Sequence, residues 1–188
     1  LNIFIDTELE AVNQILSSIG ESPVNSIENP TNVDVINAVK FLERVSRKFQ
    51  SRGWIFNTNN SYTLNPDIYT SKITWNSLII RLTGSKIYNK RGSYVYDFQN
   101  QTDIFTAPIV VQAVLLVDFE DLPETAKAYI TARAALEFQA KYQGDDTVTQ
   151  SLSGEVQEAW AHFQEYLLDV ERPNMLQRPD VFGILGRT

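Results

Sequence analysis

The feature that most constrains this chain is a change of hydrophobic period. Apolar residues recur every three to four positions at both ends and give way to strand-like chemistry in the middle. From Thr7 onward, Leu9, Val12, Leu16 and Ile19 mark one helical stripe, with Thr7 and Glu10 in capping-box spacing and Gly20 just past the end. After a loop over 21–30, a second helix is expected from near Asn32 to about Ser51. It carries Val35, Val39, Leu42, Val45 and Phe49 on its stripe and stops before Gly53.

From Trp54 to Phe119 the residues turn to Tyr, Ile, Val, Thr and Trp, broken by Asn, Gly and Pro, which favours strands and turns. Lys86-Ile87-Tyr88, then Asn89-Lys90-Arg91-Gly92, then Ser93-Tyr94-Val95-Tyr96 read as a hairpin. Ile109 to Val117 reads as a buried strand, and Pro66 and Pro108 mark connections. Asp121 and Glu124 repeat the capping spacing around Pro123 and open an alanine-rich third helix, which runs to about Tyr142 and closes at Gly144. A fourth helix starts near Asp146 or Thr147, accommodates or kinks at Gly154, and reaches about Val170. The remaining residues have no usable period and read as an arm.

Helices on either side of an insertion must bury stripes that neither can bury alone. The expected fold is therefore α+β. Residues 1–53 and 120–188 form an α-helical bundle with a C-terminal arm, and a small antiparallel β domain, 54–119, is inserted between its halves.

Composition narrows the function. The 188 residues contain no cysteine, which removes disulfides, thiolate metal sites and cysteine nucleophiles. Lys and Arg number 16 against 23 Asp and Glu, a net charge of −7, so tight non-specific binding to nucleic acid is not expected. No stretch approaches the ~20 apolar residues of a membrane span, and no membrane anchor or secretion signal is expected. The chain does not open on Met, and its true start is expected a little upstream.

Candidate chemistry is sparse. A glycine-rich phosphate loop and a nucleophile elbow are both missing. His162 and Glu158 lie one helical turn apart, but two ligands make no closed metal site, and a solvated polar stripe accounts for them. Asp118, Glu120, Asp121 and Glu124 precede the third helix. A pair such as Glu120 and Glu124 beside the aromatic rings of Tyr62, Tyr69, Trp75, Tyr88, Tyr94 and Tyr96 would suit a carbohydrate-active protein. Acids at a helix N-terminus are, however, already explained by the dipole, and aromatic rings at strand spacing by core packing. No catalytic residue, metal site or cofactor is expected.

Charge is more informative. Lys40, Arg44, Arg47 and Lys48 fall on one face of the second helix, roughly opposite its apolar stripe. Glu155, Glu158, Glu165 and Asp169 form an acidic face on the fourth helix, set off from Val156, Ala159, Phe163 and Val170. These faces are candidates to meet, within the bundle or between copies, or else they are simply solvated. Met175, Leu176, Val181, Phe182, Ile184 and Leu185 in the arm are costly to leave in water and must dock on their own bundle or on a neighbour.

Several stretches resemble one family, the tail tubular protein A, or head-to-tail adaptor, of short-tailed T7-like bacteriophages. They are Leu9 to Glu21 with Pro23-Val24, Gln50-Ser51-Arg52-Gly53-Trp54 with Phe56-Asn57, and Thr63-Leu64 with Pro66-Asp67 and Tyr69. Arg91-Gly92 with Tyr94-Val95-Tyr96-Asp97 and Leu122-Pro123-Glu124 continue the series in order. The resemblance implies a dodecameric ring in the virion tail, assembled from chains made in the bacterial host cytoplasm. Its implied neighbours are the portal protein, the tail nozzle protein (tail tubular protein B) and the tail fibre, and double-stranded DNA would pass without tight binding. It also implies a helical bundle with a β domain. Twelve copies at −7 each give about −84 charges around one channel, which would repel phosphate. A connector at another level of the head-to-tail stack is the nearest alternative.

Overall fold

The computed structural model describes residues 7–84 and 87–171. Thr7 caps the first helix, α1 (Glu8–Ser17), as its spacing predicts. Its hydroxyl accepts from the Glu10 N–H at 3.2 Å, and Glu10 Oε2 accepts from the Thr7 N–H at 3.1 Å. Beyond Gly20, at φ +80, the Asn13 amide bonds both the N–H and the carbonyl of Val24, at 2.8 and 3.0 Å, and so ties the following loop to α1. Asn32 caps α2 (Val33–Gln50) by accepting from the Asp34 N–H at 2.8 Å.

The third helix, α3 (Glu124–Tyr142), touches α1, α2 and the fourth helix, α4 (Asp146–Glu171). That central place explains its composition. Ala126, Ala134 and Ala135 are buried in one core with Ile130 and Phe138 and let neighbouring helices approach. Its start differs from expectation: Asp121 lies in a 3₁₀ turn over Phe119–Asp121, and Pro123 occupies the N-cap with no side-chain hydrogen bond. Leu122 precedes a proline and is held extended at ψ 151, so the helix cannot begin upstream of it. At the other end Gly144, at φ +69, turns its N–H back to the Gln139 carbonyl at 2.9 Å. Asp145 opens α4 by accepting from the N–H groups of Thr147 and Val148, and the helix runs through Gly154 as one segment.

Among the described residues, five strands fill the middle. β1 (Thr58–Leu64), β2 (Ile79–Thr83) and β5 (Ile109–Leu115) form an antiparallel sheet in the order β1-β5-β2, while β3 (Tyr88–Arg91) and β4 (Tyr94–Asp97) pair separately. Two expectations need correction. The segment 109–117 is not buried throughout: Val111, Ala113 and Val114 are covered, but Val110 and Gln112 face solvent, because the sheet is covered on one side. The hairpin turn is also tighter. Asn89, Lys90 and Arg91 pair with Tyr96, Val95 and Tyr94 as strand residues, leaving only Gly92-Ser93 in the turn. Gly92, at φ +63, supplies the positive φ that a type II′ turn requires at its first position. Lys86 lies outside the described residues.

Among the described residues two hydrophobic cores result. One joins the helices, where fully buried Phe163 meets Phe49 and Trp54 with ring centroids 5.0 Å away in each case. The other lies under the sheet, around Ile73, Ile79, Val95 and Val111. Trp54, Phe56, Val117 and Phe119, at the edges of the strand-rich stretch, pack on the helical core.

Buried amides fasten the two ends of the β segment where they meet α2. The Gln50 side chain is fully buried; its Nε2 donates to the Val117 carbonyl at 2.9 Å and its Oε1 accepts from the Val117 N–H at 2.8 Å. Asn57 donates to the carbonyls of Gln50 and Leu115 and accepts from the Trp54 N–H at 2.7 Å. Trp54 in turn donates its indole N–H to the Phe49 carbonyl at 2.8 Å. Gly53 sits at φ +79, and a Cβ there would lie 2.9 Å from Val114 Cγ2. The stretch Gln50 to Asn57 is thus the joint between the helices and the sheet.

Candidate functional site

The charged surfaces follow from helix spacing. On α2, Lys40, Arg44 and Lys48 recur at four-residue steps, and Arg52 continues the row just past the helix end. On α3, Arg133, Glu137 and Lys141 do the same. The two helices run antiparallel: Phe41 meets Phe138 and Tyr142 with centroids 5.3 and 6.0 Å apart, and Phe49 meets Tyr129 at 5.3 Å. The two rows therefore face each other across a groove. Arg44 pairs with Glu137 at 3.0 Å, and Arg133 pairs with the same carboxylate at 3.0 Å. Arg44 also lies over the Phe41 ring at 4.1 Å, and Lys141 lies 5.4 Å from its centroid. One end of the groove is a cavity of about 230 Å³ lined by Lys48, Arg52, Arg133 and Glu137 over Val45, Phe49 and Tyr129.

The sequence expectation captured three of the groove's bases, Lys40, Arg44 and Lys48. It missed Arg52, Arg133 and Lys141, because the groove joins a helix before the β segment with one after it. The signal available was the four-residue repeat on both helices. Arg47 goes elsewhere, to an acidic cleft of about 580 Å³ with Glu8, Glu43, Asp118 and Glu120. Burial pushes the Glu8 carboxyl above its usual range, and the charges of Glu43, Glu120 and Asp118 push it further.

The acids Glu155, Glu158, Glu165 and Asp169 are all exposed on α4. Within the chain Arg44 turns to Glu137 of α3 rather than to them. The face of α4 that carries Trp160 points to the end of α2, with Trp160 5.6 Å from the Arg52 guanidinium. Glu155 lies on the other flank, in a groove shared with Glu10, Asn13 and Gln14 of α1. Bases and acids thus occupy opposite sides of the helical bundle. Met175, Leu176, Val181, Phe182, Ile184 and Leu185 lie outside the described residues.

The residues considered for catalysis do not converge. Glu120 lines the acidic cleft, whereas Glu124 pairs with buried Lys127 at 2.8 Å. Tyr62, Trp75 and Tyr88 pack on the sheet core, Tyr96 is buried, and Tyr69 is 94% exposed, so these rings form no common platform. His162 and Glu158 are exposed, and among the described residues no group of three or more His, Asp or Glu side chains is placed to hold a metal. No described helix is long and apolar enough to cross a membrane.

A family model described as tail tubular protein matches residues 9–172, which takes in both cores and the joint between them. The chain belongs to the tail tubular protein family. It is a structural component of a bacteriophage tail. Among curated proteins it is similar to tail tubular protein A of Klebsiella phage KP34, with 36% identity over 125 residues, 65% of this chain. That match spans 66% of the relative's length, just under two thirds. The basic groove and the acidic stripe both fall inside the region that aligns with the tail tubular family.

Proposed function

We propose that the chain is a ring-forming adaptor that links the portal to the tail nozzle, extends the DNA channel and supports tail-fibre attachment. The observation that carries this reading is the family match running from α1 to the end of α4. The charge distribution supports it: bases on one flank of the bundle and acids on the opposite one suit a head-to-tail interface that closes by rotation. On this reading 54–119 is a β domain inserted in a bundle of 1–53 and 120–188, with Gln50 and Asn57 as its hinge pins. The partners are further copies of the chain, portal, nozzle protein and fibre, in a ring of twelve within the virion tail. Synthesis precedes assembly, in the host cytoplasm. DNA passes an acidic ring without tight binding, and no reaction is catalysed.

The test is electron microscopy of the full chain mixed with portal rings, followed by pull-down with nozzle protein. The expected result is an added annular layer on the portal that then retains nozzle protein. A chain that joins neither partner under any condition contradicts the reading.

A further inference from the structure

We propose that the acidic stripe of α4 docks into the basic α2–α3 groove of a second copy of this chain, and that this contact is the repeating one between copies. The inference rests on the ring reading and names the surfaces that would build it.

Charge complementarity argues for it. The 26 residues of α4 include no Lys or Arg, and Glu155, Glu158 and Glu165 stand exposed along it. At 100° per residue these acids lie about 80–160° round the helix from buried Phe163, on the side away from Trp160. The groove has the opposite balance: its two rows hold six bases and a single acid, Glu137, which Arg44 and Arg133 already share. Such an excess of one sign repels itself unless a partner neutralises it.

Length and shape agree as well. At 1.5 Å per residue, Lys40 to Arg52 spans about 18 Å and Glu155 to Glu165 about 15 Å, so one row can lie along the other. The groove floor of Val45, Phe49 and Tyr129 offers apolar contact below the charges, and exposed Leu168 lies beside the acids on α4. Within one chain it is Trp160, rather than Glu155, Glu158 or Glu165, that faces Arg52. The surfaces differ and lie on opposite sides, so the contact is heterologous and repeats from copy to copy.

The chain has no cysteine, so a designed cross-link has no background. The double variant Lys48→Cys with Glu158→Cys, assembled on portal rings and oxidised, is expected to give a ladder of covalent multimers on a non-reducing gel. Annular particles that form but yield only monomer overturn the docking proposal while leaving the ring reading intact; no particles from the wild-type chain overturns the ring reading itself. Charge reversal is a second arm. Glu158→Lys with Glu165→Lys, and Arg44→Glu with Lys48→Glu, should each lose assembly alone and regain it when mixed in equal amounts, since each then supplies the surface the other lacks. Assembly unchanged in either variant, or a groove reversal that abolishes retention of a DNA duplex and leaves assembly untouched, contradicts the proposal.

Discussion

Gln50 shows how one side chain can decide where a chain divides. Its amide reproduces the two hydrogen bonds of a strand neighbour to Val117, and the Gln50 side chain that makes them has no exposed surface. Gln50→Ala leaves the part-buried N–H and carbonyl of Val117 without this partner and is expected to cost about 1–3 kcal/mol, read by urea denaturation. Gln50→Glu is also expected to destabilise, because a carboxylate cannot donate to the Val117 carbonyl. Glu8 gives a pH signature. Its carboxyl is raised by burial and by Glu43, Glu120 and Asp118, so the folded state holds the proton more tightly than the unfolded chain. Its destabilising effect therefore grows as pH rises through the raised pKa. The melting temperature of Glu8→Gln relative to wild type is expected to increase from about pH 4 to pH 7. Asp103 works in the opposite sense: the hydrogen bond from Lys72 lowers its pKa, and the stability it contributes is lost as pH falls through that value.

The helices illustrate what sequence pattern can and cannot reveal. The box at Thr7, the cap at Asn32 and the closure at Gly144 were readable because each depends on residues within a turn of one another. The start of α3 was misplaced because a proline constraint at Leu122 outranks capping spacing at Asp121. The exposure of Val110 and Gln112 was not readable, since which sheet face is covered depends on strands far away in sequence. Tertiary contact likewise sets the importance of Phe163. It has no exposed surface and meets the rings of Phe49, Trp54, Phe56, Trp160 and Tyr166, which come from both halves of the bundle and the joint. Phe163→Ala is expected to cost about 3–5 kcal/mol in chemical denaturation, with the near-ultraviolet signal of the tryptophans lost in the same transition. A loss under about 1 kcal/mol would mean that α4 does not lock the bundle.

At the scale of the whole molecule, the α+β class was legible from the change of period alone, while the surfaces were only half so. The bases on α2 and the acids on α4 stood out in the sequence, but the bases on α3 that complete the groove became visible only when two distant helices came together. The groove and the stripe lie on opposite flanks, and each carries an excess of one charge. Attraction between copies should therefore weaken with salt, and ultracentrifugation of portal-bound material is expected to show less bound chain at about 1 M than at about 0.1 M salt, as the screening length falls from about 10 to about 3 Å. The most direct measurement is electron cryomicroscopy of the intact tail of the phage that encodes this chain. The account predicts a closed ring of density between portal and nozzle into which the four helices and their sheet fit, with α4 of each copy against α2 and α3 of the next. A tail in which that level is built from another protein, with this chain found elsewhere in the particle or not in it, would contradict the account.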